Sequence, residues 1–202
     1  MPKSLSFLLL LFVFASLSAL SAESERLRNG GMEAPFVAGL ASGWVDNCYG
    51  SNAVGFAEEA RGFGGGKSAQ RVKCSSFVTG GVQFHSGPVA VEKGKPYTLS
   101  LWLKGDFNAS VYVGIRKFRE PYTGYLVRHV RVKNEWTPYL IMGEACGTDS
   151  DCGVFIMFAC VGTLSVDAVS LTPGLHEDAF AKSEIPPRKG NRVFNSGFEV
   201  GS

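Results

Sequence analysis

The chain has no block of one charge. Its 20 Lys and Arg and 18 Asp and Glu leave a formal net charge of +2 over 202 residues. No basic run exists to neutralise phosphates or to adhere to an anionic bilayer, which argues against nucleic acid and membrane surfaces as partners. There are only three His, far apart in sequence, and no Cys-x-x-Cys, so no zinc-binding pattern can be drawn. A Gly-x-Ser-x-Gly elbow, a P-loop and a dinucleotide fingerprint are likewise missing. Beyond the first 22 residues no apolar pattern has a helical period.

The start of the chain has what the rest lacks. "MPKSLSFLLLLFVFASLSALSA" (1–22) places Lys3 before an apolar run from Leu5 to Phe14, followed by small residues. The run is too short for a stable membrane span, and the order is that of an export signal cut after Ser21 or Ala22. The expected location is therefore secreted, periplasmic or at the cell surface, with no membrane contact after cleavage. Five cysteines, Cys48, Cys74, Cys146, Cys152 and Cys160, then meet an oxidising compartment, where disulfides are permitted. Cys146 and Cys152 flank "GTDSD", a loop short enough for one bridge. Cys48 with Cys74 is a weaker pairing, and with five cysteines one is left over.

About 180 residues remain, the size of one ordinary domain. The 25 glycines and 15 phenylalanines suit a turn-rich β protein. Several segments alternate at period two, the mark of strands with one buried face. In "PYTLSLWLKGD" (96–106), Leu99, Leu101 and Leu103 share one face, with Ser100, Trp102 and Lys104 on the other. In "NASVYVGIRKF" (108–118), Val111, Val113 and Ile115 face in, with Tyr112, Gly114 and Arg116 facing out. "YLVRHVRVKNEW" (125–136) groups Leu126, Val130 and Val132, with Arg128 interrupting that side and Tyr125, His129 and Arg131 opposite. "GVFIMFACVGTLSVDAVSL" (153–171) reads as two strands joined near Gly162. The expected fold class is all-β, a two-sheet antiparallel sandwich or jelly roll. "NAS" (108–110) is a glycosylation acceptor if the host is a eukaryote.

Several phrases, in order, resemble the CenC-like carbohydrate-binding modules of the family-four and family-nine type. "NGGMEAPF…SGW" (29–44) is similar to that family's Asn-Gly-x-x-Glu opening followed by a Trp. "GGGKSAQRV" (64–72) resembles its Gly-x-x-Ser/Ala segment. "VAVEKGKPYTLSLWLKGD" (89–106) resembles its Gly-Lys-x-Tyr turn into a Leu-Ser-x-Trp-Leu-Lys-Gly strand. "GTLSVDAVSLTP" (162–173) resembles its closing strand, where the usual Asp-Asp is Asp167-Ala168. The likeness covers nearly all of 25–173. It implies a jelly roll of the galactose-binding-like superfamily that binds polysaccharide or oligosaccharide, usually as an accessory domain of a secreted glycosidase. It also implies a structural calcium tying the opening segment to the last strand, with Glu33 and Asp167 at the carboxylate positions and backbone oxygens near Gly66-Lys67-Ser68 completing the shell. The lost second Asp weakens that set, and a carboxylate capping a turn is the competing reading.

The resemblance transfers no glycan-binding residues, because these differ between family members. The residues themselves suggest candidates. A sugar offers flat C–H patches and a rim of hydroxyls, which proteins grip with aromatic faces and with amide or guanidinium groups. Trp102, Tyr112, Arg116 and Tyr125 are expected to cluster if their strands are neighbours in one sheet. Gln83 and His85, alternating in "GVQFHSG", are expected to join them, with Trp44 and Tyr49 at a rim. Any one of these aromatics equally fits a plug of the core. No catalytic residue is assigned: Asp46, Glu58, Glu120 and Glu144 are available acids, but no motif pairs two of them as glycoside hydrolysis requires.

Two segments remain. "TPGLHEDAFAKSEIPPRKG" (172–190) is polar and proline-bearing, and 174–190 reads as a linker. "NRVFNSGFEVGS" (191–202) repeats the opening phrase, aligning Asn195, Gly197, Phe198 and Glu199 with Asn29, Gly31, Met32 and Glu33. The expectation is a signal peptide (1–22), a sandwich module (25–173), a linker (174–190) and the start of a truncated second module (191–202). The partner of the first module is then a downstream domain of the same chain, such as a glycoside hydrolase. Two alternatives are a protein-binding or cell-surface adhesion sandwich, and a glycan-cleaving enzyme in its own right.

Overall fold

The computed structural model describes residues 26–63 and 66–180. The expected signal peptide, the second half of the linker and the repeat at 191–202 lie outside the described residues. The module is an all-β antiparallel sandwich of twelve strands, with no α-helix among the described residues. The strands are β1 (Phe36–Val37), β2 (Leu40–Ala41), β3 (Trp44–Asp46), β4 (Tyr49–Ala60), β5 (Ser68–Ser86), β6 (Val89–Val91), β7 (Pro96–Gly105), β8 (Ser110–Lys117), β9 (Gly124–Arg131), β10 (Thr137–Glu144), β11 (Asp149–Phe158) and β12 (Gly162–Pro173).

Two sheets share β5, while β1 and β2 form a small hairpin of their own. The first half of β5 lies between β12 and β4, giving the order β10-β7-β12-β5-β4. Its second half lies between β11 and β3, giving β9-β8-β11-β5-β3, with β6 beside the start of β11. The crossing is built on glycine. Gly50 of β4 pairs with Gly80 of β5, and both have positive φ, 88° and 96°. A Cβ on Gly80 would sit 1.9 Å from the Tyr49 carbonyl oxygen. Only glycine lets the two backbones cross so closely in that conformation. Where β5 leaves the first sheet, it delivers Gln83 and His85 to the outer face of the second.

The core is the space between the sheets. Leu99, Leu101 and Leu103 of β7 meet Val111, Val113 and Ile115 of β8, all fully buried. Val154 and Ile156 of β11 and Phe84 of β5 complete that layer. Each such side chain contributes about 1.5–3 kcal/mol by leaving water. At the open edge, β9 and β10 approach: the Cys146 N–H donates to the Tyr125 carbonyl (3.1 Å), and the Tyr139 hydroxyl donates to the Arg131 carbonyl (2.6 Å).

The opening phrase closes one end of the sandwich. Asn29 has φ 52°; its amide donates to the Glu33 and Ser42 carbonyls and accepts from the Glu33 N–H. Trp44 donates from Nε1 to the Asn29 carbonyl. Gly30 lies flat on β12, where a Cβ would stand 1.8 Å from the Val169 oxygen. Met32 is then fully buried in the core. At the other end of the chain, the sandwich continues past 173. Gly174 N–H donates to the Pro96 carbonyl, the Thr98 hydroxyl donates to the Gly174 carbonyl, and Phe180 meets Trp102 edge-on at 5.6 Å. Residues 174–180, assigned to a linker from their composition, therefore pack on the first sheet.

The expected Cys146–Cys152 bridge is not formed, and all five cysteines are free thiols. Cys152 sits inside the second sheet, its Sγ against the Val89 carbonyl (3.3 Å). Cys146 is exposed, its Sγ against the Gly124 carbonyl (3.3 Å). The loop between them is not a free turn: β11 begins at Asp149 and turns Cys152 inward beside Val154. Burial pushes the Cys152 thiol up to about 12, the opposite of a reactive thiolate.

Candidate functional site

The outer face of the second sheet gathers aromatic, guanidinium, carboxamide and imidazole groups. Alternation fixes its rows. Tyr112 of β8 stands opposite His129 of β9 and Met157 of β11, and Met157 stands opposite Gln83 of β5. In the next row Gly114 faces Val127 and Phe155, and Phe155 faces His85. Arg116 pairs with Gly153. Two of these positions, Gly114 and Gly153, and Gly81 two residues before Gln83 gain their shape from missing side chains. A Cβ on Gly114 would meet the Leu126 oxygen at 2.3 Å, one on Gly153 the Phe118 ring at 2.8 Å, and one on Gly81 the Tyr49 ring at 2.8 Å. With no Cβ beneath them, Phe118 and Tyr49 lie down on the sheet.

Arg116 is the centre of this face. Its guanidinium carbon lies 3.9 Å from the Phe155 ring centroid and 5.4 Å from that of Tyr122, cation–π distances. Nη1 reaches Gln83 Oε1 at 3.4 Å, and Gln83 Nε2 donates in turn to Asn47 Oδ1. Burial lowers the Arg116 pKa, and the nearby Tyr112, Tyr49 and Tyr122 hydroxyls oppose that shift. Tyr49 and Tyr122 are 54% and 51% exposed, so two aromatic faces flank the guanidinium while open to solvent. Tyr112 is partly buried, meeting His129 edge-on at 5.5 Å.

His85 lies 4.7 Å from both Phe118 and Phe155. Its Nδ1 is 2.7 Å from the Ser86 carbonyl, so Nδ1 carries the proton. Burial, aided by the Arg116 charge, lowers its pKa and keeps the ring neutral at pH 7, against the pull of the Ser86 carbonyl. Nε2 is then an acceptor suited to a hydroxyl.

The sequence-level candidates fall into three groups. Tyr112, Arg116, Gln83 and His85 share this face, with Tyr49 at its edge. Trp102 does not join them, because β7 belongs to the other sheet. There Phe63 stacks on it at 3.4 Å, and Trp136 stands edge-on to Phe63. Tyr125 and Trp44 belong to the core. Tyr125 is the extra residue where the β8–β9 register shifts between Ile115 and Arg116; such a bulge turns a side chain to the opposite face. It is 8% exposed and donates to Asp149 Oδ2 at 2.5 Å. That bond holds the Asp149 carboxyl down near about 2 and pushes the Tyr125 hydroxyl up to about 12. Trp44 is 5% exposed and packs on Phe84 at 5.5 Å. Tyr122 and Phe155 were not singled out by the sequence. Phe155 lies in a segment that reads as a strand, but its place opposite Gly114 comes only from the pairing of β8 with β11, and Tyr122, in the β8–β9 loop, gave no signal.

Other groups lie elsewhere. An open cleft of about 230 Å³ on the first sheet is lined by Glu59, Arg71, Lys104, Asp106, Asn134 and Ser165, among others. Lys104 pairs with Glu59 there at 2.5 Å and lies 5.1 Å from the Trp136 ring. Of the acids weighed for catalysis, Asp46 accepts the Cys48 N–H and Glu58 accepts from the Ser68 hydroxyl. Glu120 and Glu144 are exposed.

Glu33 and Asp167 do converge. Asp167 accepts the Phe63 and Ala168 N–H groups, and Glu33 accepts the Lys67 N–H at 2.9 Å. A Cβ on Gly66 would lie 3.0 Å from Glu33 Oε1 and 3.5 Å from Asp167 Oδ2, so two carboxylate oxygens face one small space. Burial, with Glu33 adding, raises the Asp167 pKa to about 6, against its two N–H partners. Among the described residues, no group of three or more His, Cys, Asp or Glu converges for a metal.

Several solved structures share this fold. The family 11 carbohydrate-binding module of the Clostridium thermocellum cellulase Lic26A-Cel5E aligns over 77% of this chain and 98% of its own, with 15% identity and a TM-score of 0.53. The N-terminal cellulose-binding domain of Cellulomonas fimi β-1,4-glucanase C aligns over 71% and 93%, with 19% identity and a TM-score of 0.50. An arabinose-bound GH51 α-L-arabinofuranosidase aligns over 75% of this chain, with 15% identity and a TM-score of 0.61, but the match spans only 26% of that enzyme. No family model and no curated protein sequence matches the chain. At these identities the likeness is one of fold: the chain shares its sandwich with these proteins.

Proposed function

We propose that this sandwich is a secreted, non-catalytic polysaccharide-binding module of the CenC-like type, acting as the N-terminal accessory domain of a larger glycoside hydrolase. The observation that carries the reading is the outer face of the second sheet. Two solvent-open tyrosines, a guanidinium and a neutral imidazole share one glycine-floored surface, with the buried Gln83 carboxamide bracing the guanidinium from beneath. Rings stack on the C–H face of a pyranose while the Arg116 guanidinium and the His85 Nε2 exchange hydrogen bonds with its hydroxyls. Binding modules among the structural neighbours support it; a module that binds without turnover needs no pair of acids. Trp102, stacked under Phe63 on the other sheet, is left outside this groove.

Calcium, in this reading, is structural. Glu33 and Asp167 supply two hard oxygen ligands across the space beside Gly66, with backbone oxygens near Gly66-Lys67-Ser68 completing the set. A cation there would neutralise two carboxylates that otherwise repel, and would tie the opening turn to β12.

Retention of the purified protein on a panel of soluble and insoluble polysaccharides tests the reading, with reducing-sugar release followed in the same samples. Retention without release is the expected result. Release of sugar in proportion to enzyme added would replace the module with an enzyme. No retention on any glycan would leave the sandwich with a protein-binding role.

A further inference from the structure

Arg116 carries more than a neutral sugar needs. Among the described residues its Nε is the one buried side-chain nitrogen or oxygen with no hydrogen-bond partner. Its Nη1 contact with Gln83 is long, at 3.4 Å. The neighbouring cations are neutralised: Lys117 pairs with Asp149 at 3.4 Å and Arg119 with Asp151 at 3.6 Å. Arg116 forms no ion pair among the described residues. The groups that act on its charge are tyrosine hydroxyls, and its flat faces meet the Phe155 and Tyr122 rings. A half-buried guanidinium stacked on rings and left without a counter-charge is a costly arrangement, and an anion bound at its open edge would offset that cost.

We infer that the glycan bound on this face is acidic, with the carboxylate of a uronic acid residue pairing with Arg116 between Tyr49, Tyr112 and Tyr122. A carboxylate is planar and matches the guanidinium edge with two parallel N–H···O bonds, which a hydroxyl cannot do. The stacking rings hold the guanidinium in place for it, and the low polarity around them strengthens the pair. This inference rests on the glycan-binding reading and narrows it to a substrate class.

The test compares one polymer in two forms: a polyuronate and the same polymer after its carboxyl groups are reduced to alcohols. Affinity electrophoresis measures both, for the wild-type protein and for Arg116→Met, which keeps the stem over Phe155 and removes the charge. Thermal melting checks that the variant folds. The wild-type protein is expected to bind a polyuronate about tenfold or more tighter than its reduced form, and Arg116→Met to lose that preference. Arg116→Lys, with a point charge and no fork, is expected to recover only part of it. Equal affinity for both forms, or a preference that survives in Arg116→Met, overturns the inference while leaving glycan binding intact. Binding to neither form of any polymer overturns the glycan reading itself, and the inference with it.

Discussion

Replacing Gly80 by alanine tests whether the Gly50–Gly80 crossing holds the two sheets together. The backbone at Gly80 has φ 96°, and the new Cβ would stand 1.9 Å from the Tyr49 carbonyl oxygen. Forcing a non-glycine residue into that region costs about 1–3 kcal/mol. The contact cannot relax by rotating a side chain, because both partners are backbone; β4 and β5 must separate, weakening the pairing around it. The sum is roughly 3 kcal/mol. With a urea dependence of about 2 kcal/mol per molar for a domain of this size, the unfolding midpoint falls by about 1.5 M. Gly55→Ala is the control. It lies in β4 without a positive φ, with nothing within 4 Å of an added Cβ, so it is expected to be neutral or stabilising by about 0.5 kcal/mol. Urea unfolding followed by tryptophan fluorescence measures both. Equal midpoints for wild type and Gly80→Ala would refute the crossing argument. The same substitution shifts Tyr49 and Gln83, so the variant is expected to weaken glycan binding even where it folds.

Three further expectations concern stability. The Asp149 carboxyl is depressed to about 2, chiefly by the Tyr125 hydroxyl, so its contribution is present above the unfolded carboxylate pKa near 4 and is lost as pH falls towards 2; Asp149→Asn is expected to flatten the acid limb of a Tm-against-pH curve between those values, and an unchanged limb would contradict the pair. Met32→Ala removes a fully buried side chain and is expected to cost about 2–5 kcal/mol by chemical denaturation, with a value under about 1 kcal/mol showing that the opening turn does not seal the core. If Glu33 and Asp167 hold calcium, adding the ion in excess of its Kd raises Tm, a chelator reverses the gain, and Glu33→Gln abolishes the difference; a calcium effect that persists in Glu33→Gln would move the ion elsewhere.

Alternation made much of this fold legible. The apolar faces of β7 and β8 follow from Leu99-x-Leu101-x-Leu103 and Val111-x-Val113-x-Ile115, and the outward placement of Tyr112 and Arg116 follows with them. Pairing between distant strands did not. Nothing local in "LSLWLKG" says that β7 joins β12 and β10 rather than β8, so Trp102 was grouped with residues of the opposite sheet. Tyr125 was misplaced by a single extra residue in β9, since a bulge inverts the faces that a strict period of two assigns. β4, "YGSNAVGFAEEA", has too few β-branched residues to announce twelve residues of strand; it is held there by pairing with β5. Trp44, expected at a rim with Tyr49, is drawn inward by Phe84 and by the Asn29 carbonyl. The loop residue Tyr122 had no periodic neighbours to mark it.

The most direct measurement sets the two aromatic faces of the sandwich against each other. Tyr122→Ala and Trp102→Ala are compared with wild type by affinity electrophoresis on the polysaccharide that retains the protein best. A stacking ring contributes about 1.5 kcal/mol, or roughly tenfold in Kd. The account predicts that Tyr122→Ala loses about that much while Trp102→Ala, stacked under Phe63 on the other sheet, binds as wild type. Retention lost in Trp102→Ala and kept in Tyr122→Ala would place the glycan on the opposite face and contradict the account.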